Sequence, residues 1–86
     1  MIMLDEIMDT YPDEDFMCAN GFDDAVIGFE SDSMRLAYSV QKCVDILVDS
    51  GMDYEEALEF FEFNVRSAFV GEKTPIWIDT PIIVED

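Results

Sequence analysis

The segment SVQKCVDILVDSGMDYEEALEFF, Ser39 to Phe61, decides how the chain folds. Val40, Cys43, Val44, Leu47 and Val48 recur at i, i+3, i+4, i+7 and i+8, the spacing of a helix with one apolar stripe. Ser39 stands at its N-cap, and Gly51 is placed to end it in a left-handed conformation. Asp53 then opens a second helix. Glu56 follows three residues later, as in a capping box, with Met52 and Ala57 at the positions of a hydrophobic staple. Two consecutive amphipathic helices are therefore expected, over 40–50 and 53–70. In the second, Tyr54, Leu58, Phe61, Val65 and Phe69 form the apolar face. Glu55, Glu59, Glu62 and Arg66 run down the other side, with Glu62 and Arg66 at ion-pair spacing. Phe60 and Phe63 widen the apolar arc beyond what one contact face needs. Gly71 ends the helix.

Upstream the period changes. Ala25-Val26-Ile27-Gly28-Phe29 is a short apolar run, and Glu30-Ser31-Asp32-Ser33 has turn composition. Met34, Leu36 and Tyr38 then alternate with Arg35, Ala37 and Ser39, one set to each face of a strand. Two strands joined by a few turn residues predict an antiparallel hairpin over 22–39. In residues 1–20, Met1, Met3, Leu4, Ile7 and Met8 keep helical spacing until Tyr11-Pro12 stops it. An acidic turn, Pro12 to Asp15, follows before Phe16 and Met17 return to apolar character.

Downstream, Glu72 to Pro75 is a polar turn. Ile76-Trp77-Ile78 and Ile82-Ile83-Val84 give a strand region over 75–84, confined by its prolines to strand starts or an edge. The expectation is one α+β domain, 1–86. It has a small antiparallel sheet (hairpin plus C-terminal strand) packed against the two helices, and a short N-terminal helix.

Twenty-one acidic residues against four basic ones, with no histidine, give a formal charge of -17 at pH 7. Self-repulsion on this scale opposes compaction and repels nucleic acid and anionic membrane. It favours positively charged partners, above all a protein that itself binds nucleic acid. Disordered acidic chains have few aromatics, whereas this one is 50% hydrophobic and 13% aromatic, enough to fill a core. A core of this size leaves a thin margin, and homo-oligomerisation is one way to supplement it. The N-terminus lacks the basic n-region of a signal peptide, and no apolar run reaches the ~18 residues of a membrane span.

The residue inventory offers little for catalysis. The usual general base and commonest metal ligand is missing. Cys18 and Cys43 have no metal-site spacing, and Cys43 lies on the apolar stripe as a small core residue. Gly71-Glu72-Lys73-Thr74 lacks the upstream glycine of a phosphate loop and reads as a turn. Asp23 and Asp24 could form a carboxylate pair, but such a pair needs a cleft. Neither Asp13-Glu14-Asp15 nor Asp49 to Glu56 has the ligand offsets of a calcium loop. No catalytic, cofactor or metal site is expected.

What remains is surface. Glu55, Glu59 and Glu62 place carboxylates about 6 Å apart along a helix, a scale similar to the phosphates of one nucleic-acid strand. Solubility of a small domain needs a net charge of only roughly 2–8, so the excess points to recognition. Glu55, Glu59, Glu62, Asp23, Asp24, Asp13, Glu14 and Asp15 are the candidate partner-binding residues. The alternative places function in an apolar interface around Phe60, Phe63 or Trp77, the acidity serving solubility.

The stretch Glu55-Glu56-Ala57-Leu58-Glu59-Phe60-Phe61-Glu62-Phe63-Asn64-Val65, followed by Ala68 to Trp77, resembles a group of short acidic proteins encoded by tailed bacteriophages. In that group a Phe-Asp-Asp-Ala-Val-Ile-Gly segment, here Phe22 to Gly28, precedes a Tyr-x-x-x-Lys-Cys helix, here Tyr38 to Cys43. The likeness covers residues 22–78. It implies a phage accessory protein acting in the cytoplasm of the infected host. Such proteins are often inhibitors of nucleic-acid-binding machinery, including restriction and CRISPR systems. The resemblance carries no residue assignments.

Overall fold

A computed structural model of the chain describes residues 3–68 and 71–80. Met1, Phe69 and the run Ile82-Ile83-Val84, used above for helix faces and a strand, lie outside the described residues. Helix α1, Met3–Thr10, buries Leu4 and Ile7 and keeps Asp5 and Glu6 exposed. It ends where expected: the Tyr11 N–H still reaches the Ile7 carbonyl at 3.0 Å, and Pro12 has no N–H to continue the ladder.

A 3₁₀ turn, Asp23–Ala25, leads into β1, Val26–Glu30, which pairs antiparallel with β2, Arg35–Ser39. The register slips between Val26 and Gly28, so that Val26 faces Tyr38 while Phe29 faces Leu36. Val26 and Phe29 are an odd number of residues apart and would lie on opposite faces of a regular strand. The bulge at Ile27 brings both onto the face that holds Leu36 and Tyr38. Phe29 then meets Tyr11 and Phe16 edge-on, at ring separations of 5.1 and 6.2 Å.

The hairpin turn is closed by Glu30, whose carboxylate accepts from Asp32 N–H (2.9 Å), Ser33 N–H (2.8 Å) and the Ser33 hydroxyl (2.6 Å). Met34, expected on the strand with Leu36 and Tyr38, instead completes this turn at φ 54°, in the left-handed region.

β2 runs straight into α2, Val40–Asp49. Ser39 is buried rather than outward-facing because it caps that helix, its Oγ accepting from Lys42 N–H at 3.2 Å. At the other end Gly51 (φ 120°) donates to Val48 O at 3.0 Å and Met52 to Leu47 O at 3.3 Å, the paired bonds of a glycine-terminated helix. Asp53 caps α3, Tyr54–Phe60, through Oδ1 and the Glu56 N–H at 2.8 Å.

Two expectations are corrected here. The second helix does not run as one α-helix over 53–70. After Phe60 the chain passes into a π-helical segment, Phe61–Arg66, and a turn at Ser67. Asn64 Nδ2 donates to Phe60 O at 3.2 Å and the Ser67 hydroxyl to Phe63 O at 2.7 Å. Short polar side chains thus compete for the i−4 carbonyls that an α-helix would use. Tyr54, placed on the apolar face, is 49% exposed at the helix start, and Ala57 holds the buried position instead.

The second correction concerns the sheet, which is mixed rather than antiparallel. β3, Ile76–Ile78, pairs parallel with β2, aligning Ala37 with Ile76 and Tyr38 with Trp77, and the strand order is β1-β2-β3. The helical crossover from β2 returns the chain in the same direction, as parallel pairing requires.

One core joins all these elements. Leu4, Ile7, Phe22, Val26, Leu36, Tyr38, Cys43, Val44, Leu47, Ala57 and Phe61 form a single buried cluster. Tyr38 is fully buried at its centre, its ring 5.2 Å from Trp77 and its hydroxyl accepting from Ala19 N–H at 2.8 Å. Burial pushes the phenol up to about 12, so it stays neutral. Tyr38→Phe should cost about 1 kcal/mol, the loss of a hydrogen bond to a part-buried N–H. Denaturant unfolding measures the loss, and faster amide exchange at Ala19 locates it.

Candidate functional site

Cations and anions are used in opposite ways. Arg35 donates through Nε to Thr74 O at 2.6 Å. Lys73 reaches Glu14 and the Met34 carbonyl, both at 3.4 Å. Arg66 binds Glu62 at 3.2 Å and holds Asp79 through both guanidinium nitrogens, keeping the Asp79 carboxyl below its usual range. Three of the four basic side chains thus tie β3 and its turn to the body of the protein. Lys42 is exposed on α2, with no ion-pair partner among the described residues. Every described acidic residue except Glu30 is exposed. The surface potential is therefore set by carboxylates almost alone.

The candidate residues fall into three groups. Asp13, Glu14 and Asp15 lie in the loop after α1, where Glu14 is engaged by Lys73. Asp23 and Asp24 form the 3₁₀ turn. Glu55 and Glu59 lie on α3, with Glu62 one turn further in the π-helical segment and paired to Arg66. All eight are exposed. No hydrogen bond or ion pair joins the three groups, and no cluster of three or more ligating side chains able to hold a metal ion occurs among the described residues. The row of three acids on the second helix is in effect two open carboxylates and one partly neutralised.

The helical segment that carries Glu55, Glu59 and Glu62 also exposes aromatics. Phe63 is 78% exposed and Phe60 39%. Glu56 precedes Phe60 by four residues within α3, so that ring has a carboxylate as its helical neighbour, and Glu59 precedes Phe63 by four across the passage into the π-helical segment. The one sequence signal was the excess width of the apolar arc. The buried stripe needs Ala57 and Phe61, not Phe60 and Phe63.

A cavity of about 240 Å³ opens between the 17–20 segment, Phe22, Val65 and Trp77. It is smaller than the roughly 300–1,000 Å³ of ordinary small-molecule sites. The Trp77 indole N–H is buried without a hydrogen-bond partner among the described residues. Both thiols are free. Burial, with Asp23 nearby, raises Cys18, and burial pushes Cys43 up to about 12, which disfavours the thiolate needed for nucleophilic chemistry. No helix among the described residues is long and apolar enough to cross a membrane. No protein-family model, curated protein or solved structure matches the chain.

Two measurements test this electrostatic picture. The bonds from Ser33 and Asp32 lower the Glu30 pKa, so its contribution to stability is present above the unfolded value and lost as the pH falls through the folded one. The stability difference between wild type and Glu30→Gln should hold constant from pH 7 to about 5 and shrink below about 4.3. Arg66→Gln should lower the Tm at low ionic strength, and the deficit should narrow in about 1 M NaCl, where the Debye length is roughly 3 Å.

Proposed function

We propose that this chain is an acidic interaction protein of a tailed bacteriophage. On this reading it binds and inhibits a basic, nucleic-acid-handling protein of the host or its defences, such as a restriction or CRISPR component, partly by offering carboxylates in place of phosphates. The observation that carries the reading is the division of labour among charges. The formal charge is -17, three cations are spent on internal ties, and the exposed acids outnumber what solubility needs. The resemblance of residues 22–78 to short acidic phage proteins supports the same direction, and the host cytoplasm is the compartment it implies. A partner that handles nucleic acid would be attracted over long range, at rates that fall with salt.

A second reading is favoured by Phe63, exposed to 78%. Here an apolar contact supplies the affinity of an accessory or structural phage protein, and the acids keep it soluble. Charge reversal separates the two. Under mimicry, a Glu55→Lys, Glu59→Lys, Glu62→Lys triple variant loses binding in pull-downs from host lysate. Wild-type capture then falls between low and high salt and is competed by added DNA or RNA. Unchanged capture by the triple variant, insensitive to salt and nucleic acid, would leave only the apolar reading.

A further inference from the structure

We infer that the outward face of α3 and the π-helical segment docks an arginine-bearing, amphipathic segment of the partner, with Phe60 and Phe63 as the central contact. This deepens the proposed function and rests on the partner being basic. It adds that recognition goes beyond phosphate-like charge.

The Phe63 ring contributes little to the fold, and that of Phe60 is partly open to solvent. Phe61 is fully buried and packs edge-on against Phe22 and Trp77, whereas Phe63, two residues on, is among the most exposed large apolar groups of the protein. Phe60 closes α3 and Phe63 follows three residues on in the π-helical segment, and both rings are exposed. The outward face is bordered by Glu55, Glu56 and Glu59, all exposed and without an ion-pair partner among the described residues.

Charge decides what covers such a face. A second copy would set carboxylates against carboxylates, a like-charge arrangement that opposes association. An anionic membrane is repelled for the same reason. A cationic segment with its own apolar residues fits both components. Arginine fits better than lysine, because a planar guanidinium can stack on a ring while its N–H fork reaches the carboxylate one turn away. The π-helical segment fits a binding role, since such widened turns recur at functional sites.

The test uses the intact protein and a synthetic amphipathic helical peptide with arginines around a leucine stripe. Its lysine and glutamate counterparts serve as comparisons, and binding is followed by amide chemical shifts and calorimetry. The arginine peptide should perturb amides across 55–64. The lysine peptide should bind several-fold more weakly, and the glutamate peptide not at all. Phe63→Ala and Phe63→Leu should each weaken the arginine peptide about three- to tenfold, with melting unchanged because the ring is exposed. Glu59→Gln should weaken it and flatten its salt dependence.

Wild-type affinity in both Phe63 variants, equal binding of the arginine and lysine peptides, or shifts confined to another surface would overturn the inference. So would concentration-dependent dimerisation through this face in sedimentation. If the Phe63 variants bind normally while the Glu55, Glu59 and Glu62 reversals abolish binding, the charge reading survives and this one fails. If no acidic variant weakens the peptide, both fail together.

Discussion

Tyr38 is the contact on which the rest of the structure depends. It sits in the central strand, paired with Val26 on one side and level with Trp77 on the other, and its hydroxyl takes the Ala19 N–H. A single side chain therefore ties β1, β3 and the segment before the 3₁₀ turn into one body. The ring is fully buried, and its oxygen has a partner, as a buried polar group requires. Without that bond the 16–20 segment would be held by Phe16, Cys18 and Ala19 packing at the margin of the core and by the Phe22 N–H to Ala19 O bond.

Around this centre the chain has to fold against its own charge. A formal -17 on 86 residues is opposed by aromatic packing and by economical use of the cations. Phe61 meets Trp77 at 5.3 Å with rings perpendicular, and Tyr38 meets Trp77 at 5.2 Å, so three large rings from separate elements share one contact. Arg35, Lys73 and Arg66 gather near β3, the strand farthest in sequence from the hairpin it joins. The same placement pairs these partly exposed cations with carboxylates and carbonyls, leaving the unpaired acids to set the sign of the exterior.

Local features were legible in the sequence and nonlocal ones were not. The caps at Ser39 and Asp53 and the glycine stop at Gly51 depend on residues a few positions apart, and each formed as spacing predicts; the hairpin also formed, with Met34 moved from strand to turn. The direction of β3 depends on where a crossover of two helices delivers the chain, and no property of Ile76-Trp77-Ile78 encodes that. The bulge at Ile27 also escaped, since one extra backbone step leaves no compositional mark. For the widened turn after Phe60 the sequence carried Asn64 and Ser67, whose side chains take i−4 carbonyls, a weaker signal than the apolar periodicity running through it. For the candidate surface, the acids were plain from composition. The isolation of Phe63 from the core depends on the tertiary packing of Ala57 and Phe61, with Leu58 and Val65 beside them, which apolar spacing alone does not single out.

Among the described residues the three-stranded sheet has two outer strands, β1 and β3, and both are blunted. β1 is interrupted by the Ile27 bulge and finishes in Glu30. β3 is three residues long, preceded by Pro75 and followed by Asp79. Short, charged or kinked borders give neighbouring molecules no template for continuing the ladder. Ladder extension from one copy to the next is therefore disfavoured at both described borders, in a chain half of whose residues are hydrophobic.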